Sequence, residues 1–279
     1  MERSIARIET AGQPARSAAT HVNRFVVAPD NFAAHSPFLM LAEDWFAPPA
    51  GFPTHPHRGM ETVTLVLEGA MEHRDHTGAQ GLIGPGDVQW MTAGKGVMHS
   101  EMPGPDGVHS LQLWLNLPAA AKMTPARYAD QGAAAVHHEK GEGYELRVYA
   151  GRQGEVDRAH GSTYPMGLAT VTLEPGGTCV LYIPADERAF LYVMEGAVKA
   201  AAHAAPITAG QVAWLDPFEP GLAAPNTLTL TAQGEAPAHA VLFSGRPIDE
   251  PVVAHGPFVM NSAEEIRQAF DDYRRGDFV

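Results

Sequence analysis

Gly51-Phe52-Pro53-Thr54-His55-Pro56-His57-Arg58-Gly59-Met60-Glu61 runs directly into Thr62-Val63-Thr64-Leu65-Val66-Leu67-Glu68-Gly69. The second part is rich in β-branched and aliphatic residues and stops at a glycine, so it reads as a strand. Alternate residues of a strand point to one face, with Cα atoms about 6–7 Å apart. His55 and His57 therefore aim at one point. Pro56 cannot donate a ladder hydrogen bond, which puts His55 on an edge strand or in a loop. Counting on from His57, the odd positions His57, Glu61, Val63, Leu65 and Leu67 are expected on one face, a polar end passing into an apolar interior.

A second segment completes the pattern. Gly84-Pro85-Gly86-Asp87 has the chemistry of a tight turn, with proline setting one φ and glycine allowing a positive one. Val88-Gln89-Trp90-Met91-Thr92 follows, and Gly94 and Gly96 let the backbone bend before His99-Ser100-Glu101. His99 and Glu101 are again two residues apart. If the two pairs face each other across a barrel, three imidazoles and a carboxylate converge. That donor set suits a divalent first-row metal and is poor for calcium or magnesium. It also leaves two open positions on an octahedral ion, which points to chemistry or ligand sensing rather than a closed structural site.

The 28 Gly and 23 Pro of the 279 residues are dispersed as turn punctuation, which favours many short strands. The single cysteine, Cys179, excludes an internal disulfide and fits a reducing compartment; it lies in an apolar run and is expected buried. A net charge of −13 argues against direct binding to nucleic acid. No apolar run is long enough to span a membrane, and Met1-Glu2-Arg3-Ser4-Ile5-Ala6-Arg7 has no signal-peptide core. A soluble cytoplasmic protein is the expectation.

The strand motif recurs. Leu65-Val66-Leu67-Glu68-Gly69-Ala70 is echoed by Tyr192-Val193-Met194-Glu195-Gly196-Ala197, and Gly86-Asp87-Val88-Gln89-Trp90-Met91 by Gly210-Gln211-Val212-Ala213-Trp214-Leu215. Two copies of one antiparallel β-domain follow, each closed into a barrel or jelly roll. The expected fold is all-β, two tandem barrels over 1–135 and 136–279 with a short C-terminal helix, the boundary falling near Gly132 to Gly143. Carried across by the offset of each echo, His55 and His57 fall on Tyr182 and Pro184, and His99 and Glu101 on Ala223 and Pro225. The first copy should bind metal and the second should have lost its site. The Ala-rich Pro118–Gln131 stretch is expected to hold a short helix. Ser262-Ala263-Glu264-Glu265 has the capping-box pattern, followed by Ile266, Ala269, Phe270 and Tyr273 at helical spacing. Two fused barrels favour a monomer.

These motifs resemble the pirin family of the cupin superfamily. The resemblance rests on Phe52-Pro53-x-His55-Pro56-His57-Arg58-Gly59-x-Glu61-Thr62-Val63-Thr64, on Gly84 to Gly96, on His99-Ser100-Glu101, on Leu111-Gln112-Leu113-Trp114-Leu115-Asn116-Leu117-Pro118 and on Gly256-Pro257-Phe258-Val259-Met260-Asn261. It departs before Pro37 and at His109-Ser110. It implies a bicupin with one mononuclear metal in the first barrel, most often iron as Fe(II) or Fe(III), with Mn, Ni, Cu or Zn as alternatives. By motif match the ligands are His55, His57, His99 and Glu101. Glu61 aligns with the ligating carboxylate of many other cupins, but here it is expected beside the ligands, orienting a histidine or a water.

Some pirin-like proteins cleave flavonols such as quercetin with dioxygen, releasing carbon monoxide. The resemblance therefore implies a quercetin 2,3-dioxygenase-type reaction on a flavonol or related aromatic enol. Glu101 is the first candidate base and Glu61 the second. Phe52, Val63, Leu65, Trp90 and Met98 are the candidate pocket wall. The alternative is a redox-tuned iron protein without catalysis, read near Arg58 by a protein partner, either a transcription factor or a metabolic enzyme. A sugar isomerase is disfavoured, because no Arg- and Lys-rich phosphate pocket accompanies the histidines. His73, His76, His137 and His138 are expected to be exposed, the last two in a linker.

Overall fold

The structure is a computed structural model that describes all residues except 159–160, 202 and 217–224, and leaves the side chains of residues 216 and 225 undescribed. It is built almost wholly from antiparallel strands, with one helix of substantial length near the C-terminus. None of the described helices is long and apolar enough to cross a membrane.

Two compact units emerge, and neither is contiguous. One comprises Gly12–Ala135, Gly161–Tyr164 and Ile248–Val279; the other comprises Met1–Ala11, Val136–His160 and Pro165–Pro247. A single cut at 135/136 is therefore insufficient, because the two ends of the chain are exchanged. At the N-terminus the cause is strand pairing: Ser4–Thr10 adds antiparallel to Gln211–Asp216. At the C-terminus it is side-chain burial, described below.

In the histidine-bearing unit, one sheet runs in the order Arg127–Gln131, Val88–Thr92, Met60–Asp75, Val97–Asn116, Phe38–Phe46, His21–Val27, Ala15–Ala18. Among the described residues Phe52–His57 pairs only with Val97–Asn116, as an edge strand, which is where the ladder tolerates Pro56. The strands Met60–Asp75 and Val97–Asn116 pair along both halves of their length, with register breaks at Val66/Glu68 and Gly69/Met71. At the break Gly69 takes φ 71°, and a Cβ there would sit 2.1 Å from the Gly107 carbonyl oxygen. Such bulges bend and twist the ladder and let it wrap into a barrel.

The C-terminal segment belongs to this unit. Val253–His255 and Phe258–Met260 form a hairpin, and the helix Ala263–Arg275 follows. Ser262 caps the helix by accepting from the Glu265 N–H at 3.2 Å, and Gly276 closes it at φ 77°. Ile266 and Ala269 bury against Phe258, Met260 and Phe278, with Phe270 and Met98 packed alongside, while Tyr273 stays exposed. Lys122 pins the hairpin to the barrel: its buried ammonium donates to the carbonyls of Gly59 (2.8 Å) and Val259 (3.0 Å) and to Asn116 Oδ1 (2.7 Å).

The Pro118–Gln131 stretch holds only a 3₁₀ turn at Ala119–Ala121, and its second half is the strand Arg127–Gln131 paired with Val88–Thr92. The expected linker is also structured, since His137–Gly141 pairs with Tyr144–Gln153. His138 is exposed there, but His137 is half-buried with its Nε2 shielded.

In the other unit a larger sheet faces the four-stranded sheet Thr178–Pro184, Pro225–Ala232, Ala197–Ala200, Ile207–Thr208. Both contribute to one apolar core, including Leu146, Val171, Leu191, Leu242, Leu181 and Leu228, with Cys179 buried among them. Tyr182 faces Thr227 across the ladder. Ala223, where the offset places His99, lies outside the described residues, as does the side chain of Pro225.

Candidate metal centre

His55 and His99 are direct partners in the antiparallel ladder between Phe52–His57 and Val97–Asn116. Opposed residues share a face with Cβ atoms about 5 Å apart, and His57 lies two residues further along that face. The ring centroids of His55 are 4.8 Å from those of His57 and 4.4 Å from those of His99, with His57 and His99 5.1 Å apart. One nitrogen from each of the three rings lies within 4.8 Å of the others.

The protonation chemistry fits a cation. Burial lowers all three imidazoles; with His55 beside it, His57 falls to about 3, while His99 is pushed down by burial and then by His57, His55 and His73. Neutral imidazoles offer lone pairs. His55 Nδ1 donates to the Pro53 carbonyl at 2.9 Å, which leaves Nε2 as the free lone pair. Nδ1 of His57 and both nitrogens of His99 are buried without a hydrogen-bond partner among the described residues. Unmet buried polar atoms cost about 1–3 kcal/mol each, and an ion among the rings would satisfy one nitrogen of each.

Glu101 lies on the same strand face as His99, two residues on, and is 2% exposed. It is outside the three-histidine group. Its oxygens accept from Gln112 Nε2 at 2.9 and 3.1 Å. Gln112 Oε1 accepts from the Trp114 indole at 3.3 Å. An indole N–H can only donate, so it forces the amide orientation that presents NH₂ to Glu101. Trp114 in turn lies edge-on to His57, at 5.1 Å. Burial raises the Glu101 carboxyl to about 7, with Gln112 opposing the shift and Asp44 adding to it.

A family model described as Pirin matches residues 7–115, and one described as Pirin C-terminal cupin domain matches residues 168–279. Pirin-like protein 2 of Arabidopsis thaliana is 40% identical over 244 residues, covering 86% of this chain and 74% of the relative. A Pseudomonas aeruginosa protein provisionally named a quercetin 2,3-dioxygenase is 38% identical over 292 residues, covering 98% and 97%. The crystal structure of quercetin 2,3-dioxygenase from Acinetobacter baumannii superposes with a TM-score of 0.85 at 31% identity, covering 100% of this chain and 99% of that one. The chain belongs to the pirin family. The two-cupin architecture of that family accounts for the paired β-units of this pirin and for its internal echoes.

Several sequence expectations do not survive in this pirin. Glu61 faces away from the histidines. It accepts from Thr92 Oγ1, Ser162 Oγ and the Thr163 N–H (2.7 Å), and among the described residues it bonds no histidine. The parity count failed because the chain turns at Arg58-Gly59, where Gly59 has φ 79°. Even positions face the centre instead: Thr64 accepts from the same Gln112 amide that holds Glu101. Val63, Leu65 and Trp90 share the Glu61 side of the ladder, and Met98 packs on the C-terminal cluster. Of the expected wall, Phe52 remains beside His55, with ring centroids 6.2 Å apart.

Arg58 is not a surface residue of this pirin. It is 4% exposed, donates to Asp272 at 2.6 Å and to the Lys95 carbonyl, and covers the Phe278 ring at 4.5 Å. No reading surface can be placed there. His76 is exposed as expected, but His73 is 2% exposed, with its ring 5.4 Å from that of His99 and 4.4 Å from that of Tyr128. The residues missed in the sequence are thus His73, Gln112, Trp114 and Tyr128. The alternation Leu111-Gln112-Leu113-Trp114-Leu115 carried a signal for two of them, since it puts Gln112 and Trp114 on one face.

Proposed function

We propose that this protein holds one transition-metal ion, iron in its working form, on His55, His57, His99 and Glu101, and cleaves a flavonol or related aromatic enol with dioxygen. The observation that carries this reading is the convergence of three imidazoles, His57 and His99 buried and His55 half-buried, beside a buried carboxylate that has no cationic partner among the described residues. The quercetin 2,3-dioxygenase names of full-length relatives support the substrate class.

When bound, the metal supplies Lewis acidity toward the substrate hydroxyl and redox chemistry with dioxygen. The chain does the rest. Three neutral nitrogens and one carboxylate keep the net charge of the donor set low. Glu101, poised near neutrality by burial, takes the hydroxyl proton on a carboxylate oxygen. Gln112 holds that carboxylate in place, and Trp114 holds Gln112. Phe52 and Trp114 pack their rings beside His55 and His57. Glu61 is not assigned the proton, because hydrogen bonds to Thr92, Ser162 and Thr163 already engage both of its oxygens.

The test is turnover by Fe(II)-loaded protein mixed with quercetin and oxygen, with His57→Ala as control. Loss of the flavonol absorbance with carbon monoxide release, absent in the control, is the expected result. No turnover by protein with iron demonstrably bound overturns the flavonol assignment.

A further inference from the structure

We infer that His73 and Tyr128 form a hydrogen-bonding wall beside the metal centre that receives a second oxygen of the metal-bound ligand. The inference rests on the proposed metal site and extends it to two residues that site does not use.

His73 is the ladder partner of Glu101 and shares its face. It lies outside the set of nitrogens that could share an ion, so it is a neighbour of the centre rather than a ligand. Its Nε2 is buried with no hydrogen-bond partner among the described residues. Tyr128 sits on the strand that pairs with Val88–Thr92, directly opposite Met91, and packs against the apolar cluster to which Met60, Met91 and Val97 belong. Its ring lies 4.4 Å from that of His73 at an interplanar angle of 47°, and its hydroxyl is also buried without a partner among the described residues. The two polar atoms do not satisfy each other.

A buried tyrosine hydroxyl ordinarily finds a partner, because losing water without replacement costs stability. Two such groups side by side, next to a metal centre with open positions, are what a site looks like when the missing partner is the ligand. Their chemistry selects its class. Burial, with Asp75 and Glu101 nearby, pushes the Tyr128 phenol upward, so it remains an O–H donor at any working pH. A neutral imidazole Nε2 can donate or accept. The wall therefore fits an enol whose metal-binding hydroxyl sits next to a second oxygen, as in a 3-hydroxy-4-pyranone ring, the ring a flavonol contains.

The test uses Co(II)-loaded full-length protein under argon, titrated with maltol and separately with quercetin, with the visible cobalt bands as readout. Tyr128→Phe keeps the ring and removes the hydroxyl; His73→Phe is the second variant. Tyr128→Phe is expected to bind Co(II) with unchanged stoichiometry and affinity and to bind maltol about tenfold more weakly. Maltol and quercetin affinities within twofold of wild type in both variants overturn the inference, as does a loss of Co(II) affinity that accounts for the weaker binding. Wild type that binds maltol but not quercetin, with maltol weakened by Tyr128→Phe, upholds the wall and overturns the flavonol assignment. Wild type that binds neither probe overturns both.

Discussion

His55 and His99 stand directly opposite each other across an antiparallel ladder, their ring centroids 4.4 Å apart. The backbone alone therefore aims two donors at one point, and His57, two residues on, needs only strand alternation to join them. The three-histidine group is set by paired strands rather than by a loop.

Removing one of these donors should abolish tight binding without unfolding the barrel. His99→Ala leaves a small void but also removes two unmet buried nitrogens. We expect iron affinity to fall at least 100-fold, since even residues supporting a ligand are worth about 10–100-fold. Isothermal titration with Fe(II) or Co(II), alongside circular dichroism, checks this. Retained affinity would exclude His99 as a ligand.

Gln112→Ala tests the support of Glu101. It removes the donor to both carboxylate oxygens and frees the indole of Trp114. Metal affinity should drop about 10–100-fold with the stoichiometry kept. Gln112→Glu should be worse, because it sets two carboxylates against each other. If both variants bind as wild type does, the Gln112 contact has no part in metal binding.

The pH dependence separates Glu101 from the histidines. Burial lowers all three imidazoles from their ordinary range, His57 to about 3, which moves their titration to the acid side of that of Glu101. Glu101, raised to about 7, is protonated below that pH and must lose its proton to ligate. Metal affinity should therefore climb about tenfold per pH unit up to about 7 and then level off. Glu101→Gln should flatten the curve. A flat wild-type profile from pH 5.5 to 7 would remove Glu101 from the ligand set.

The C-terminal segment hangs on Arg58. Asp272→Ala leaves the guanidinium, whose side chain is 5% exposed, without its carboxylate. Breaking a buried pair from one side costs about 3–5 kcal/mol, and the Lys95 carbonyl and the Phe278 ring that also hold Arg58 favour the lower end. Urea denaturation reads the change; a midpoint within error of wild type would contradict it.

Gly59→Ala should loosen the same contact. Gly59 has φ 79°, and a Cβ would come within 2.0 Å of the Val259 carbonyl oxygen. The hairpin Val253–Met260 cannot stay in place, and a loss of about 2 kcal/mol or more is expected. Hydrogen exchange should show faster exchange at 253–279 and little change in Val97–Asn116. Uniform exchange across the unit would mean the hairpin is not held at this point.

The amino-acid sequence by itself determined the β class, the internal duplication, the spacing of three convergent histidines and the capped C-terminal helix, because each is written in local periodicity or turn chemistry. Faces and neighbours were decided only in three dimensions. Alternation carries no memory across a turn, so Arg58-Gly59 reversed the side on which Glu61 lies and moved Val63 and Leu65 with it. Breaks of register at Val66/Glu68 and Gly69/Met71 likewise reset the parity that leads to His73. A histidine beside a charged hairpin, in Glu72-His73-Arg74-Asp75, reads as solvated, yet pairing with Glu101 turns it into the barrel. The exchange of chain ends between the units is equally silent in sequence, since Ser4–Thr10 and the Arg58–Asp272 contact join residues about 200 positions apart. Local chemistry specifies which elements form; the burial of their faces, which depends on distant partners, specifies where each side chain ends.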